Sequence, residues 1–137
     1  MNPRQVAEYM FDQDYFSQWM NIKMIEVKEN YCLIEMPIKK EMINGLKTVH
    51  GGVTFAFADS ALAFSSNNTG DAAVALNCII NFTKAGKEGD VFTAESMLVN
   101  DTRKTAVYDI KITNQNQEMI AKFVGTVYKI GKKIIEL

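Results

Sequence analysis

Asp59 is the only charged residue in the most apolar stretch of this 137-residue chain, Val53 to Phe64. Burying a carboxylate among Phe, Ala and Leu without a partner is costly. Desolvation there raises its pKa and makes it a stronger base. Just upstream stand His50, Gly51 and Gly52, with Asn44 six residues before His50. Glycines at a helix start let a ligand approach the first-turn N–H groups, which lack intrahelical partners and carry the positive end of the helix dipole. Such groups suit a developing oxyanion. Together these residue types point to attack on a carbonyl. The structural alternatives are an acid facing a polar seam and a plain loop-to-helix turn.

Spacing constrains the chemistry. Gly51 and Asp59 are eight residues apart, roughly 12 Å along a helix. One helix does not place both on the same carbonyl. Two antiparallel copies related by a two-fold axis do, with the start of one helix meeting the Asp59 of the other. The nucleophile is then water or Asp59 itself. No G-x-S-x-G elbow occurs, since Ser60 lies in Ala58-Asp59-Ser60-Ala61, and His50 is the only histidine. A serine or cysteine triad and a metal-dependent hydrolysis both lack their parts.

The elements that must position these groups follow from periodicity. Val6, Tyr9, Met10, Phe16 and Trp19 suit one or two short amphipathic helices within residues 4–20. Segments 23–28 and 31–38 flank Glu29-Asn30, and Cys32, Ile34, Met36 and Ile38 alternate with Tyr31, Leu33, Glu35 and Pro37, which reads as a hairpin. Residues 39–49 form a polar loop around Asn44-Gly45. A helix runs from His50-Gly51-Gly52 to about Asn67 with Gly70 beyond it as a stop. It is apolar nearly all round, the pattern of a buried helix. Strands near 73–82, 91–100, 104–113 and 118–129, joined by short turn-rich connections, are expected as an antiparallel meander. The fold class is α+β: a curved antiparallel sheet wrapped around one long central helix. Apolar residues on both strand faces in places point to an oligomer.

Hydrophobic residues make up 47% and charged residues 23%, with a formal net charge of −1. Residues 1–137 read as one domain. No overall basic field draws the chain to nucleic acid or an anionic membrane. No apolar run reaches a membrane span, and no secretory h-region follows Met1. Cys32 and Cys78 are far apart in sequence, form no close metal or redox pair, and fit a reducing compartment, the cytoplasm.

Asn44-Gly45-x4-His50-Gly51-Gly52-x6-Asp59, with Ala58-Asp59-Ser60-Ala61-x-Ala63 and Asn67, resembles the hotdog-fold thioesterases, and within them the phenylacetic acid degradation thioesterase subfamily. The resemblance continues through Ile80-Asn81-Phe82-Thr83-Lys84-Ala85-Gly86, Gly89-Asp90, Lys104-Thr105-Ala106-Val107-Tyr108-Asp109-Ile110 and Ala121-x-Phe123-x-Gly125, over roughly residues 15 to 131. It implies a hotdog fold, hydrolysis of an acyl-CoA thioester, and a homodimer assembling to a homotetramer. It implies no cofactor, coenzyme A being part of the substrate. By position, Asp59 matches the general base or nucleophile, Gly51 the oxyanion N–H donor, Asn44 the loop amide that positions water or thioester, and His50 the supporting histidine. Gly52, Ser60, Asn67, Asn81 and Thr105 are the substrate-binding positions expected with it. Ala85 replaces a frequent proline, and Asn81 stands where relatives often carry Asp, which bears on acyl preference. Lys84, Arg103 and Lys104, at strand ends or turns, suit the phosphates of coenzyme A or are solvated turn charges.

Two other functions fit parts of the pattern. A hotdog hydratase or dehydratase pairs an acid with a differently placed histidine and releases no thiol. A non-catalytic acyl-CoA-binding module gains nothing from an acid in its apolar helix.

Overall fold

Strict alternation along four strands produces one dry sheet face. In β2 (Tyr31–Pro37), Cys32, Ile34 and Met36 are buried, while Tyr31, Leu33 and Glu35 are partly open. The same two-residue period buries Phe92, Ala94 and Ser96 in β4 (Val91–Asp101), Ala106, Tyr108, Ile110 and Ile112 in β5 (Thr105–Thr113), and Ala121, Phe123 and Val127 in β6 (Met119–Lys133). β1 (Lys23–Lys28) and β3 (Asp71–Phe82) complete a six-stranded antiparallel sheet in the order β1-β2-β4-β5-β6-β3. The computed structural model describes residues 1–137.

Across the dry face lies α3 (Gly51–Ser66), which buries Phe57, Ala58, Ala61, Leu62 and Phe64. Gly125 of β6 makes room for it, since an added Cβ there would stand 2.7 Å from Leu62 Cδ2. α1 (Pro3–Phe11) and α2 (Tyr15–Trp19) pack nearby, with Phe11 and Phe64 rings 6.0 Å apart. This is the hotdog arrangement, a sheet curled around one helix.

Two expectations need correction. The last four strands are not one meander: β4, β5 and β6 are, but β3 pairs with β6 at the far edge. α3 carries the chain to that edge, and residues 83–90 bring it back across the sheet end into the gap between β2 and β5. Bonds fasten this crossover, from Val49 N–H to Gly86 O (2.9 Å) and from Ile38 N–H to Asp90 O (2.8 Å). Turn-rich sequence marks where the chain reverses but not which strand it joins. Nor is α3 buried all round. Gly52 and Asp59 are exposed and Phe55, Ala56 and Ala63 half-buried, so a strip along the helix stays open.

Beside that strip, β3 leaves twelve residues of unpaired strand edge. Val74, Leu76, Ile79 and Phe82 on this strand are exposed. Long apolar edges invite another strand.

Candidate active site

His50 determines what the start of α3 offers. Its extended backbone (φ −60°, ψ 132°) makes it the N-cap residue, and its Nδ1 accepts the Gly52 N–H at 2.8 Å. An accepting Nδ1 carries no proton, so the ring is a neutral imidazole with its hydrogen on Nε2, or else the bond is lost. The His50 carbonyl takes the N–H groups of Val53 (2.9 Å) and Thr54 (3.3 Å). The Gly51 N–H alone in this turn has no partner. It points from the positive end of a sixteen-residue helix and remains free for an external acceptor.

A cavity of about 340 Å³ opens at this turn, lined by Gly51, Thr54, Phe82, Lys84 and Ile120 among others. A Cβ on Gly51 would lie 3.3 Å from Phe82 Cζ, so glycine keeps the ring and the helix start in contact. Asn44 shapes the loop that leads in. Its Oδ1 accepts the N–H groups of Leu46 (2.9 Å) and Thr48 (3.2 Å), while its amide NH2 donates to nothing within the chain.

Asp59 lies on the open strip of α3, without ion pair or hydrogen bond. Although the residue is exposed in the single chain, neighbouring protein crowds its carboxyl. Desolvation raises its pKa above the usual carboxylate value, and the charge of Asp14 raises it further. Cys78, facing α3 from β3, has its own thiol pushed up, first by desolvation and then by Asp59.

The other expected positions separate. Lys84 borders the Gly51 cavity but is paired with Glu118 at 3.0 Å. Ser60 is buried and its Oγ is 2.8 Å from Ser17 Oγ. Asn67 is buried at the helix end, with its amide bonded to Ala63 O and its Oδ1 accepting the Ala73 N–H. Asn81 pairs with Lys122 on the sheet's outer face, turned away from α3. Arg103 and Lys104 lie in the β4–β5 turn and Thr105 opens β5, beside Lys129 and near the C-terminal end of α3. The length of the helix, roughly 24 Å, thus separates them from Gly51 in one chain. Sequence reasoning missed Asp14, Ser17, Cys78 and Phe82. Asp14-x-x-Ser17 is a helix-capping pattern, and alternation along β3 was the available signal for Cys78 and Phe82.

The family model for the Thioesterase superfamily matches residues 46–121. The chain belongs to this superfamily. The matched span contains Gly51, Asp59 and the crossover loop; Asn44, α1 and α2 lie outside it. The acyl-coenzyme A thioesterase PaaI of Escherichia coli is 37% identical over 130 residues, covering 95% of this chain and 93% of that protein. The structure of E. coli PaaI, from the phenylacetic acid degradation operon, superposes with a TM-score of 0.94 at 36% identity, covering 96% and 95% of the two chains. A Streptococcus mutans protein solved bound to acetyl-CoA matches at TM-score 0.80 and 31% identity, covering 82% of this chain and 91% of that one. The thioesterase-superfamily architecture is therefore shared nearly end to end, the N-terminal helices included in the PaaI comparison.

Proposed function

We propose that this protein hydrolyses the thioester of an aryl or medium-chain acyl-CoA, at sites shared between two copies of the chain. The observation that carries the reading is the pairing of an unpartnered Gly51 N–H at the head of α3 with an unpartnered Asp59 on its open strip. A two-fold axis that joins the β3 edges antiparallel also sets the α3 helices antiparallel. Gly51 of one chain then faces the partner's Asp59. The same operation swings Arg103 and Lys104 of one chain toward the Gly51 end of the other, restoring the phosphate-binding group that a single chain splits apart. Exposed Met97, Val124 and Tyr128 on the outer sheet face offer a surface on which two dimers pack into a tetramer.

The thioester carbonyl oxygen accepts the Gly51 N–H. Asp59, ionised, takes a proton from water as the water adds to the carbonyl carbon, or adds to that carbon itself and is released by water in a second step. In both routes the C–S bond breaks, the thiolate of coenzyme A leaves and is protonated, and the free acid departs. Asn44 contributes its free NH2 to water or thioester, and His50 holds Gly52 so that Gly51 keeps its orientation. Phe82 and Ile120 in the cavity suit an apolar acyl group, and the PaaI relative's name and operon support a phenylacetate-type substrate. Two unlinked thiols, Cys32 and Cys78, suit the cytoplasm.

Asp59→Asn tests the assignment with an acyl-CoA panel and a thiol reagent that reports free coenzyme A. Turnover is expected to drop by about 10²–10⁴-fold, the usual contribution of a positioned base, with the fold intact. Turnover near wild type in that variant removes Asp59 from the chemistry.

A further inference from the structure

Ser60 follows the proposed base in sequence, yet its hydroxyl points away from the open strip and into α2. Ser17 Oγ, fully buried, lies 2.8 Å from it. Ser17 Oγ also donates to Asp14 Oδ2 at 2.6 Å, and the Ser17 N–H donates to Asp14 Oδ1 at 2.9 Å. A hydroxyl has one proton to give. Ser17 gives its proton to the carboxylate, so Ser60 must donate to Ser17. The order is therefore Ser60 to Ser17 to Asp14, and it runs toward an ionised acid.

Capping explains only part of this arrangement. One oxygen on the Ser17 N–H would cap α2, and Asn would serve as well as Asp. The second oxygen, held through Ser17 to Ser60, ties a five-residue helix to the residue beside Asp59. No lysine or arginine pairs with Asp14, so its negative charge stands unneutralised. α3 carries no other charged side chain than Asp59. The titratable groups that face Asp59 are Asp14 from the turn before α2 and Cys78 from β3.

We propose that Asp14 is a positioning residue of this site, which clamps α2 against α3 through Ser17 and Ser60, the residue next to Asp59. The proposal rests on the thioesterase reading above for its consequence, not for its geometry. A like charge nearby disfavours the ionised form of Asp59. It strengthens that group as a base while it stays ionised at neutral pH, the direction in which a proton acceptor gains. The clamp also gives the buried Ser60 hydroxyl its hydrogen-bond partner.

Asp14→Asn separates charge from cap. The variant keeps an N-cap acceptor and loses the charge. Two readouts are compared with wild type: the titration of the Asp59 carboxyl by carbon NMR, its resonance identified with Asp59→Asn, and the acid limb of kcat/KM for acyl-CoA hydrolysis. Both are expected to move to lower pH. If Asp14 only caps α2, both curves superpose on wild type and the proposal is overturned. Should Asp14→Asn fail to fold, Asp14→Ser keeps a cap acceptor without the charge and is expected to shift the carboxyl titration in the same direction; superposition again overturns the proposal. The NMR titration needs no turnover. A shifted midpoint in a protein that hydrolyses no acyl-CoA supports the Asp14–Asp59 coupling and defeats the thioesterase reading. Turnover with an unshifted midpoint does the reverse.

Discussion

Asp59 carries a cost that stability alone would remove. Its folded pKa is raised, chiefly by desolvation and then by Asp14. For an acid, a raised folded pKa means that the folded state binds its proton more tightly than the unfolded chain does. The ionised group therefore destabilises the fold above that pKa, and the penalty fades as pH falls below the unfolded value, where both states are protonated. Asp59→Asn is expected to be more stable than wild type near pH 7 and equal to it in acid. Urea unfolding at the two pH values reads this; equal stability at both would show that the folded protein does not strain its carboxylate. The reacting types at Gly51 and Asp59 were legible because their signal is local: a carboxylate in an apolar helix and glycines at its start. The partners of Ser60 and Asn67 were not. Ser60 meets Ser17 across 43 positions of sequence, and no local pattern announces that contact.

At the level of elements, two-residue alternation exposed β2 and its hairpin, and the apolar run bounded by Gly51 and Gly70 exposed α3. The pairing of β3 stayed hidden, because alternation specifies which face is buried and says nothing of the neighbouring strand. The crossover through residues 83–90 decides it. Gly86 is the tight point: an added Cβ would overlap the Phe92 ring and come within 2.9 Å of Val49 Cγ2, and Phe92 is fully buried. Gly86→Ala must push Phe92 or Val49 out of place. The variant is expected to lose about 1–3 kcal/mol, the usual cost of overpacking, seen as a lower urea midpoint at unchanged slope. Val49 immediately precedes the His50 cap, so the same substitution should also lower turnover. Unaltered stability would mean that the loop yields freely and does not brace the helix start.

For the whole molecule, the question is whether each site is built from two chains. Gly51 and Asp59 are fixed on one rigid helix at a separation of roughly 12 Å, and both the helix strip and the β3 edge beside it are open. A second copy covers both surfaces and closes the separation at once. Two single-lesion variants test this directly. Gly51→Pro removes the N–H at the first helical position, where proline is well accommodated. His50 before it already has the extended backbone that a following proline requires. Phe82 must yield slightly, since a Cβ there meets it at 3.3 Å. Each of Gly51→Pro and Asp59→Asn should be nearly inactive alone. Unfolded together and refolded, they exchange partners, and statistical pairing makes about half of the dimers mixed. In a mixed dimer one site receives both lesions, and the other receives an intact Gly51 from one chain with an intact Asp59 from its partner. Activity should therefore return to about one quarter of wild type. A site confined to one chain recovers nothing on mixing, because every chain still carries its own lesion.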